Sequence, residues 1–314
     1  MITYGTVRSE GGEISTPDLS RRGVTLCLVS GVAAVPMLRL GGILGANWSP
    51  RLVRPPGALA EAAFLTRCIK CGQCMRVCPT NIIHPAGLEG GIEGIWTPVL
   101  NFRIGTSGCQ VNCVACGHIC PTSAIRPISL DEKHGRGDFQ ENGPIRLGTA
   151  FVDRGRCLPW AMDRPCIVCE ENCPVSPKAI VTREVYSPVE GRRWTVRSVD
   201  KRQLRLGGPA MQPGAFGTGD YVFNRIDKAE RKWVILDNGK ETLVIAGELR
   251  DGLPPPGVEI EIRVRLKQPH IVPDRCIGCG ICEHECPVSG KRAIRVTAEN
   301  ETRDRDHALL ARNA

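Results

Sequence analysis

The chain has 314 residues, 42% of them hydrophobic and 24% charged, and a formal net charge of +8. This balance excludes an intrinsically disordered chain and an ordinary integral membrane protein, and the length allows one large domain or two ordinary ones. Aromatic residues make up only 4%, whereas the chain has 35 glycines and 24 prolines, so we expect loops held by something other than a large aromatic core. The most informative count is 17 cysteines, of which sixteen lie in four tight groups.

The amino terminus, residues 1–45, is predicted to be an export signal or a membrane anchor. The uncharged run 24–38 has fifteen residues, which is short for a spanning helix of about 20 residues but typical of the apolar region of a signal peptide. The preceding pair Arg21-Arg22 resembles a twin-arginine export signal, although two positions after the pair depart from the usual pattern. A buried helix that follows two arginines is the alternative. The seventeenth cysteine, Cys27, lies in this run and is expected to act as a small apolar residue.

The other sixteen cysteines form four groups that all end in C-x2-C-x3-C-P. In chain order the groups are Cys68, Cys71, Cys74 and Cys78; Cys109, Cys113, Cys116 and Cys120; Cys157, Cys166, Cys169 and Cys173; and Cys276, Cys279, Cys282 and Cys286. Groups one and four have the complete run of bacterial ferredoxins, C-x2-C-x2-C-x3-C-P. Group two has three residues in its first gap and group three has eight.

This spacing predicts four [4Fe–4S] clusters. Three cysteines in a tight turn can bind three corners of one cube, and the proline after the fourth cysteine directs the chain away, so the fourth is expected to bind the neighbouring cube. The expected ligand sets are Cys68, Cys71, Cys74 and Cys120 for cluster 1; Cys109, Cys113, Cys116 and Cys78 for cluster 2; Cys157, Cys166, Cys169 and Cys286 for cluster 3; and Cys276, Cys279, Cys282 and Cys173 for cluster 4.

Three other uses of cysteine fit the pattern less well. Disulfides leave four identical Cys-Pro endings unexplained, zinc ribbons have longer loops between their cysteine pairs, and redox C-x2-C motifs occur singly. His118 and His284 lie inside the groups, but cysteines already supply every corner, so we do not expect these histidines to be ligands. Four glutamates flank clusters 3 and 4 and are expected to be mainly solvated: Glu170, Glu171, Glu283 and Glu285.

Crosswise ligation predicts an α+β protein with two dicluster ferredoxin-like modules. The expected segments are module 1 at 60–130, a polar connector at 131–150, module 2 at 151–183 plus 271–298, a β-rich insertion at 184–270 and a polar tail at 299–314. The sequence Cys-Pro-Val-Ser recurs at Cys173 and Cys286, which supports pairing group three with group four.

The β-rich insertion is recognised by alternation and by a turn signal. Residues 258–266 alternate strictly between apolar and polar, and 232–245 reads as two strands around Asn238-Gly239, a strong hairpin signal. Residues 194–206 alternate more loosely. We predict a small antiparallel sheet or partial barrel that serves either as a docking surface for a partner or as a lid over module 2.

The positive charge would ordinarily point to nucleic acid, but the count treats every cysteine as neutral. Four oxidised clusters with their thiolates would carry about −8, which brings the loaded protein near neutrality. No nucleic-acid partner is therefore expected.

Before group one the sequence reads RPPGALxExxFLxRC, from Arg54 to Cys68. Beside the arginine pair, this lead-in resembles the ferredoxin-type subunits of periplasmic nitrate reductase and methylamine-utilisation operons, over about residues 50–130 and 150–290. The resemblance implies an exported carrier with four [4Fe–4S] clusters on the sixteen grouped cysteines. It would relay single electrons between a membrane quinol-oxidising donor and a redox partner enzyme such as a terminal reductase. The wider gaps in groups two and three and the β insertion depart from the nitrate-reductase type.

We expect no enzymatic chemistry of its own, because the chain has no phosphate loop, dinucleotide fingerprint or nucleophile paired with a base. The expected location is the periplasm or the periplasmic face of the inner membrane. A cytoplasmic iron–sulfur subunit of a larger oxidoreductase and an iron–sulfur redox sensor or iron-delivery protein are the alternatives.

Overall fold

The computed structural model describes residues 24–25, 28–30, 49, 51–227, 230–246 and 254–309. The predicted arginine pair and Cys27 lie outside the described residues. Residues 24–25 and 28–30 are helical and exposed. Within the described part, no helix has the length and apolar character needed to cross a bilayer. Apart from 91–93, the described residues from 49 onwards belong to one compact unit.

From residue 51 onwards, the α-helices of the described part are short, with four to seven residues each. They are α1 (Glu61–Arg67), α2 (Gln73–Val77), α3 (Gly91–Gly94), α4 (Ala115–His118), α5 (Leu130–His134), α6 (Leu158–Ala161), α7 (Val168–Glu171) and α8 (Ile281–Glu285). Single 3₁₀ turns lie at Leu88–Gly90, Gly137–Phe139, Pro273–Arg275 and Arg305–His307. Helices this short are not stable alone, so tertiary contacts must hold them.

Two small antiparallel ladders belong to the predicted modules. In the first, β1 (Ile83–Pro85) pairs with β2 (Pro98–Leu100). In the second, β3 (Thr149–Val152) pairs with β10 (Ile294–Thr297), so segments that lie about 140 residues apart in the chain become neighbours. This second ladder brings cysteine group three next to group four.

The predicted insertion is a closed barrel rather than an open sheet. Its strands are β4 (Ile180–Asp200), β5 (Gln203–Gly207), β6 (Tyr221–Arg225), β7 (Trp233–Asn238), β8 (Thr242–Ile245) and β9 (Glu259–Ile271). They close in the order β4-β5-β8-β7-β6-β9, with antiparallel neighbours. The predicted hairpin at Asn238-Gly239 is confirmed as the β7–β8 turn. The register of β4 shifts at two places, which lets this long strand bend around the barrel.

Strict alternation explains the burial pattern of the barrel. Along β9 every second residue from Ile260 to Leu266 is buried, as a half-buried strand requires. The barrel has its own core, which includes Leu204, Phe223 and Ile235. Strands β4 and β9 continue past the expected limits of the insertion, 184–270, and their ladder begins at the pair Ile180 and Ile271.

A separate core runs through both predicted modules and contains many of the cysteines. The two modules are joined directly, because the Cys109 amide donates to the Cys279 carbonyl at 2.7 Å. The connector also contacts module 2, since the Leu147 amide donates to the Ile277 carbonyl at 3.0 Å. The modules thus share one hydrophobic core, whereas the barrel folds around another.

Two segments that sequence reasoning described only as polar are built into the fold. The connector contains α5, whose first turn is capped by the Ser129 hydroxyl, and its Lys133 side chain is buried. In the described part of the predicted tail, Glu301 and His307 are buried and Arg303 reaches back to α1. These polar residues can be buried because their charged groups find hydrogen-bond partners in the fold.

Candidate iron–sulfur sites

Four partly open cavities of similar size are each lined by four cysteines. Cavity 1 has Cys68, Cys71, Cys74 and Cys120; cavity 2 has Cys78, Cys109, Cys113 and Cys116; cavity 3 has Cys157, Cys166, Cys169 and Cys286; and cavity 4 has Cys173, Cys276, Cys279 and Cys282. Each cavity therefore takes three cysteines from one group and the fourth from its partner group. These are the same sets that the spacing argument assigns to the four clusters.

All sixteen grouped cysteines are free thiols. Among the described residues, no three Cys, His, Asp or Glu side chains lie close enough to share a single metal ion. The chemistry of the donors suits an iron–sulfur cube, which thiolates bind at four corners.

Each tight turn ends in a one-turn helix that carries the third cysteine of its group. In groups one and four the helix follows a left-handed glycine, Gly72 at φ 74° and Gly280 at φ 75°. In groups two and three it follows Val114 at φ −131° and Ile167 at φ −133°. The two groups with a longer first gap thus enter the helical turn through a residue with negative φ instead of a left-handed glycine.

The fourth cysteines of module 1 have hydrogen-bond partners that favour the thiolate. The sulfur of Cys78 lies 3.6 Å from the Thr80 hydroxyl, and that of Cys120 lies 3.8 Å from the Thr122 hydroxyl. Burial opposes ionisation, but these hydroxyls and nearby amide N–H groups hold the pKa of both thiols below the ordinary value. Sequence reasoning missed this role of the two threonines, although the repeated Cys-Pro-Thr at Cys78 and Cys120 could have indicated it.

Several other thiols have a pKa above the ordinary value. Burial, followed by repulsion from neighbouring cysteines, raises the pKa of four thiols to about 12, namely Cys74, Cys116, Cys169 and Cys279. Buried thiols in such crowded sets do not ionise unless a positive centre compensates them. Iron would supply that compensation and release the protons on binding.

Both flanking histidines and the glutamate Glu283 have hydrogen-bond partners within the fold. A ring nitrogen of His118 lies 3.1 Å from the Ile128 carbonyl, and one of His284 lies 3.1 Å from the Phe102 carbonyl. The expectation of solvation was wrong for Glu283, which is buried, accepts from the Val296 amide and pairs with Arg103. Burial of Glu283 is possible because these two donors satisfy its carboxylate.

The cavities form a continuous series. Cavities 1 and 2 share groups one and two, and cavities 3 and 4 share groups three and four. The bond between Cys109 of cavity 2 and Cys279 of cavity 4 joins the pairs, which gives the order 1-2-4-3. At one end Cys71 is exposed, beside the exposed side chains of Ile69 and Trp96. At the other end Pro269 of β9 lines cavity 3, so the barrel strand forms part of its wall.

Comparisons with known proteins agree with this chemistry. The family profile "4Fe-4S binding domain" matches residues 64–84 and 269–289, which contain all the cysteines of groups one and four. The chain is 33% identical over 129 residues to the "Ferredoxin-type protein NapG" of Escherichia coli, which covers 41% of this chain and 50% of that protein. It therefore spans about half the length of that relative. No solved structure matches the chain.

The methylamine utilization ferredoxin-type proteins match over a longer stretch. "Methylamine utilization ferredoxin-type protein MauM" of Methylorubrum extorquens is 31% identical over 181 residues, 55% of this chain and 75% of that protein. MauM of Paracoccus denitrificans is 29% identical over 173 residues, 55% of this chain and 69% of that protein. These relatives are named as ferredoxin-type proteins and not as enzymes, and this chain belongs to the same family of ferredoxin-type iron–sulfur proteins.

Proposed function

We propose that this chain is an electron carrier that holds four [4Fe–4S] clusters and passes single electrons between protein partners. The observation that carries the proposal is the set of four similar cavities, each with four cysteine sulfurs, in the unbroken order 1-2-4-3. When bound, each cluster supplies one-electron oxidation and reduction. The protein contributes the thiolates, the N–H donors that face them, and a rigid core that keeps the cavities adjacent.

The proposed ligands are the sixteen grouped cysteines in their crosswise sets. Support comes from the lining of each cavity and from backbone amides that donate to cysteine sulfur. The Ile125 amide donates to the Cys120 sulfur at 3.5 Å, and the Ala150 amide donates to the Cys276 sulfur at 3.4 Å. Amide donors of this kind stabilise the charge on cluster sulfurs.

We propose that the exposed end at cavity 1 exchanges electrons with a partner. Cys71 is the exposed cysteine among the sixteen, and the apolar side chains of Ile69 and Trp96 flank the same cavity with 63% and 68% of their surface accessible. Electron transfer needs the donor and acceptor to approach closely, so the cavity that is nearest to solvent suits that role.

We further propose export to the periplasm by the twin-arginine route, with a quinol-linked donor at the membrane and a redox enzyme as acceptor. The support is the Arg21-Arg22 pair before an uncharged run, together with the family membership. Replacement of both arginines by lysine should leave the protein in the cytoplasmic fraction. Unchanged fractionation would contradict this route.

The decisive experiment for the cluster content is iron and sulfide analysis of anaerobically reconstituted full-length chain. About sixteen iron atoms per chain are expected for four cubes. A matched control replaces Cys27, the cysteine outside the four groups, with alanine and should give the same value. A result near eight iron atoms would contradict the proposal.

A further inference from the structure

The connector between the modules places a buried cation against cavity 2. The Lys133 ammonium of α5 lies 3.7 Å from the Cys109 sulfur and donates hydrogen bonds to the Gln110 carbonyl at 2.7 Å and the Cys113 carbonyl at 2.6 Å. Helix α5 is fixed at its start by the Ser129 hydroxyl, which accepts from the Glu132 amide. The ammonium is therefore held in place by both ends of the loop that carries Cys109 and Cys113.

The burial of Lys133 requires a counter-charge. The residue is only 7% exposed, and among the described residues no carboxylate lies within 4.0 Å of its ammonium. The neighbouring acid, Glu132, pairs with Arg126 instead. An ammonium that is removed from water without a negative partner is strongly destabilising. The negative groups that face Lys133 are the cysteine sulfurs of cavity 2, which become thiolates when iron is bound.

A second cation of the connector lies close to cavity 4. The Arg146 guanidinium donates to the Asp274 carbonyl at 2.8 Å, two residues before Cys276. Burial raises the pKa of the Cys276 thiol, and Arg146 is among the groups that act against this rise.

We propose that Lys133 tunes cluster 2 by raising its reduction potential above those of the clusters at the two ends of the series. The inference rests on the proposed function, because it assumes that a cluster occupies cavity 2. Reduction adds one electron and one negative charge to a cluster. A cation hydrogen-bonded to a ligating sulfur stabilises that added charge, and hydrogen bonds and net charge are the protein's main means of setting cluster potentials.

With the higher potential at cluster 2, an added electron occupies an inner cluster in preference to the clusters at the two ends of the series. Cavity 2 lies at the junction with cavity 4, away from the exposed Cys71, and the connector supplies cations to both inner cavities. The connector is thus an electrostatic element as well as a link between the modules.

The test compares Lys133→Gln with Lys133→Arg in the reconstituted full chain by redox titration monitored by electron paramagnetic resonance. Gln keeps a donor for the loop carbonyls but removes the charge, whereas Arg keeps the charge. With Gln, we expect the ratio of reduced to oxidised cluster to fall at least tenfold for one cluster at a fixed potential, which corresponds to 59 mV for one electron. With Arg, the potentials should stay close to those of the unchanged chain. Unchanged potentials in a fully loaded Lys133→Gln protein would overturn the proposal.

A second measurement uses variants that retain Lys133, so it tests the proposal even if Lys133→Gln loses iron. In the titration of the otherwise unchanged protein, Cys113→Ser should alter a signal that appears before the one altered by Cys71→Ser. The reverse order would overturn the proposal. Failure of the four-cluster proposal would instead appear as a low iron content in the unchanged chain.

Discussion

The amide of Cys109 donates a hydrogen bond to the carbonyl oxygen of Cys279 at 2.7 Å, so a cysteine of group two touches a cysteine of group four. This contact turns two dicluster segments into one series of cavities. The hydrogen bond requires the backbone at Gly108 to approach the backbone of group four closely. A Cβ atom on Gly108 would lie only 2.4 Å from both the Cys279 oxygen and the Ile281 nitrogen.

Substitution of Gly108 by alanine should therefore loosen the junction. The added methyl group has rigid backbone on two sides, and overpacking of this kind costs about 1–3 kcal/mol. We expect a lower urea midpoint for unfolding of the modules in the loaded protein. Gly155→Ala is the matched control, because the nearest atom to its added Cβ is the Asp153 carboxylate oxygen at 3.6 Å, an ordinary contact. Equal midpoints for the two variants would contradict the role of Gly108.

The crosswise sets predict which clusters respond to loss of a fourth cysteine. Cys120→Ser should perturb the same spectroscopic signal as Cys71→Ser, because both residues line cavity 1. Cys78→Ser should instead perturb the signal that changes in Cys113→Ser, because those residues line cavity 2. Electron paramagnetic resonance of the dithionite-reduced proteins provides the measurement. A match of Cys120→Ser with Cys113→Ser would mean that each group binds its own cluster.

The lead-in motif before group one has a structural reason, which gives a prediction for stability. The Arg54 guanidinium is 1% exposed, donates to Glu61 at 2.5 and 3.2 Å and lies over the Phe64 ring. Arg303 also donates to Glu61, at 2.6 Å. Glu61→Gln leaves two buried guanidinium groups without their shared carboxylate, and breaking a buried pair costs about 3–5 kcal/mol. Because the Glu61 side chain is 28% exposed, we expect the lower end of that range.

The same carboxylate predicts a pH dependence. Burial alone would raise the pKa of Glu61, but Arg54 and Arg303 hold it below the ordinary value of 4.5. The stabilisation is therefore complete above pH 4.5 and is lost as the pH falls through the lower, folded-state pKa. The difference in urea midpoint between the unchanged chain and Glu61→Gln should narrow between pH 6 and pH 3. A constant difference over that range would contradict the assignment.

The barrel should be separable from the cluster sites, because it folds around its own core. Phe223 is fully buried there and stacks on Trp233 with ring centroids 5.1 Å apart. Phe223→Ala should destabilise the barrel by about 3–5 kcal/mol while the iron content stays unchanged. Leu236→Ala, at a side chain that is 47% exposed on the adjacent strand, is the control and should have little effect. Near-ultraviolet circular dichroism and iron analysis distinguish the two effects, and loss of iron in Phe223→Ala would show that the barrel supports the clusters.

Part of the local structure of the barrel could be predicted from local sequence patterns. Alternation predicted a strand at 258–266, which covers the first part of the observed β9 (Glu259–Ile271), and turn chemistry predicted the hairpin at Asn238-Gly239. Both signals act over a few residues. The closure of the barrel could not be predicted, because it depends on the ladder between β6 and β9 and on bulges in β4 that have no clear signal in the sequence. The burial of Lys133 and Glu283 was also missed, because their partners lie on other segments of the chain.

The sequence by itself determined the cysteine groups and their repeated proline endings, since the spacing within a group depends on short-range geometry around a tight turn. The repeated Cys-Pro-Val-Ser predicted the pairing of group three with group four, but the long-range ladder between β3 and β10 brings the two groups together. Only the tertiary structure decided that cavity 2 adjoins cavity 4, that the connector turns a cation towards a cysteine sulfur, and that the tail returns to Glu61. Those relationships join residues far apart in the chain. They arise from packing and from the need of each buried charge for a partner, which no local pattern records.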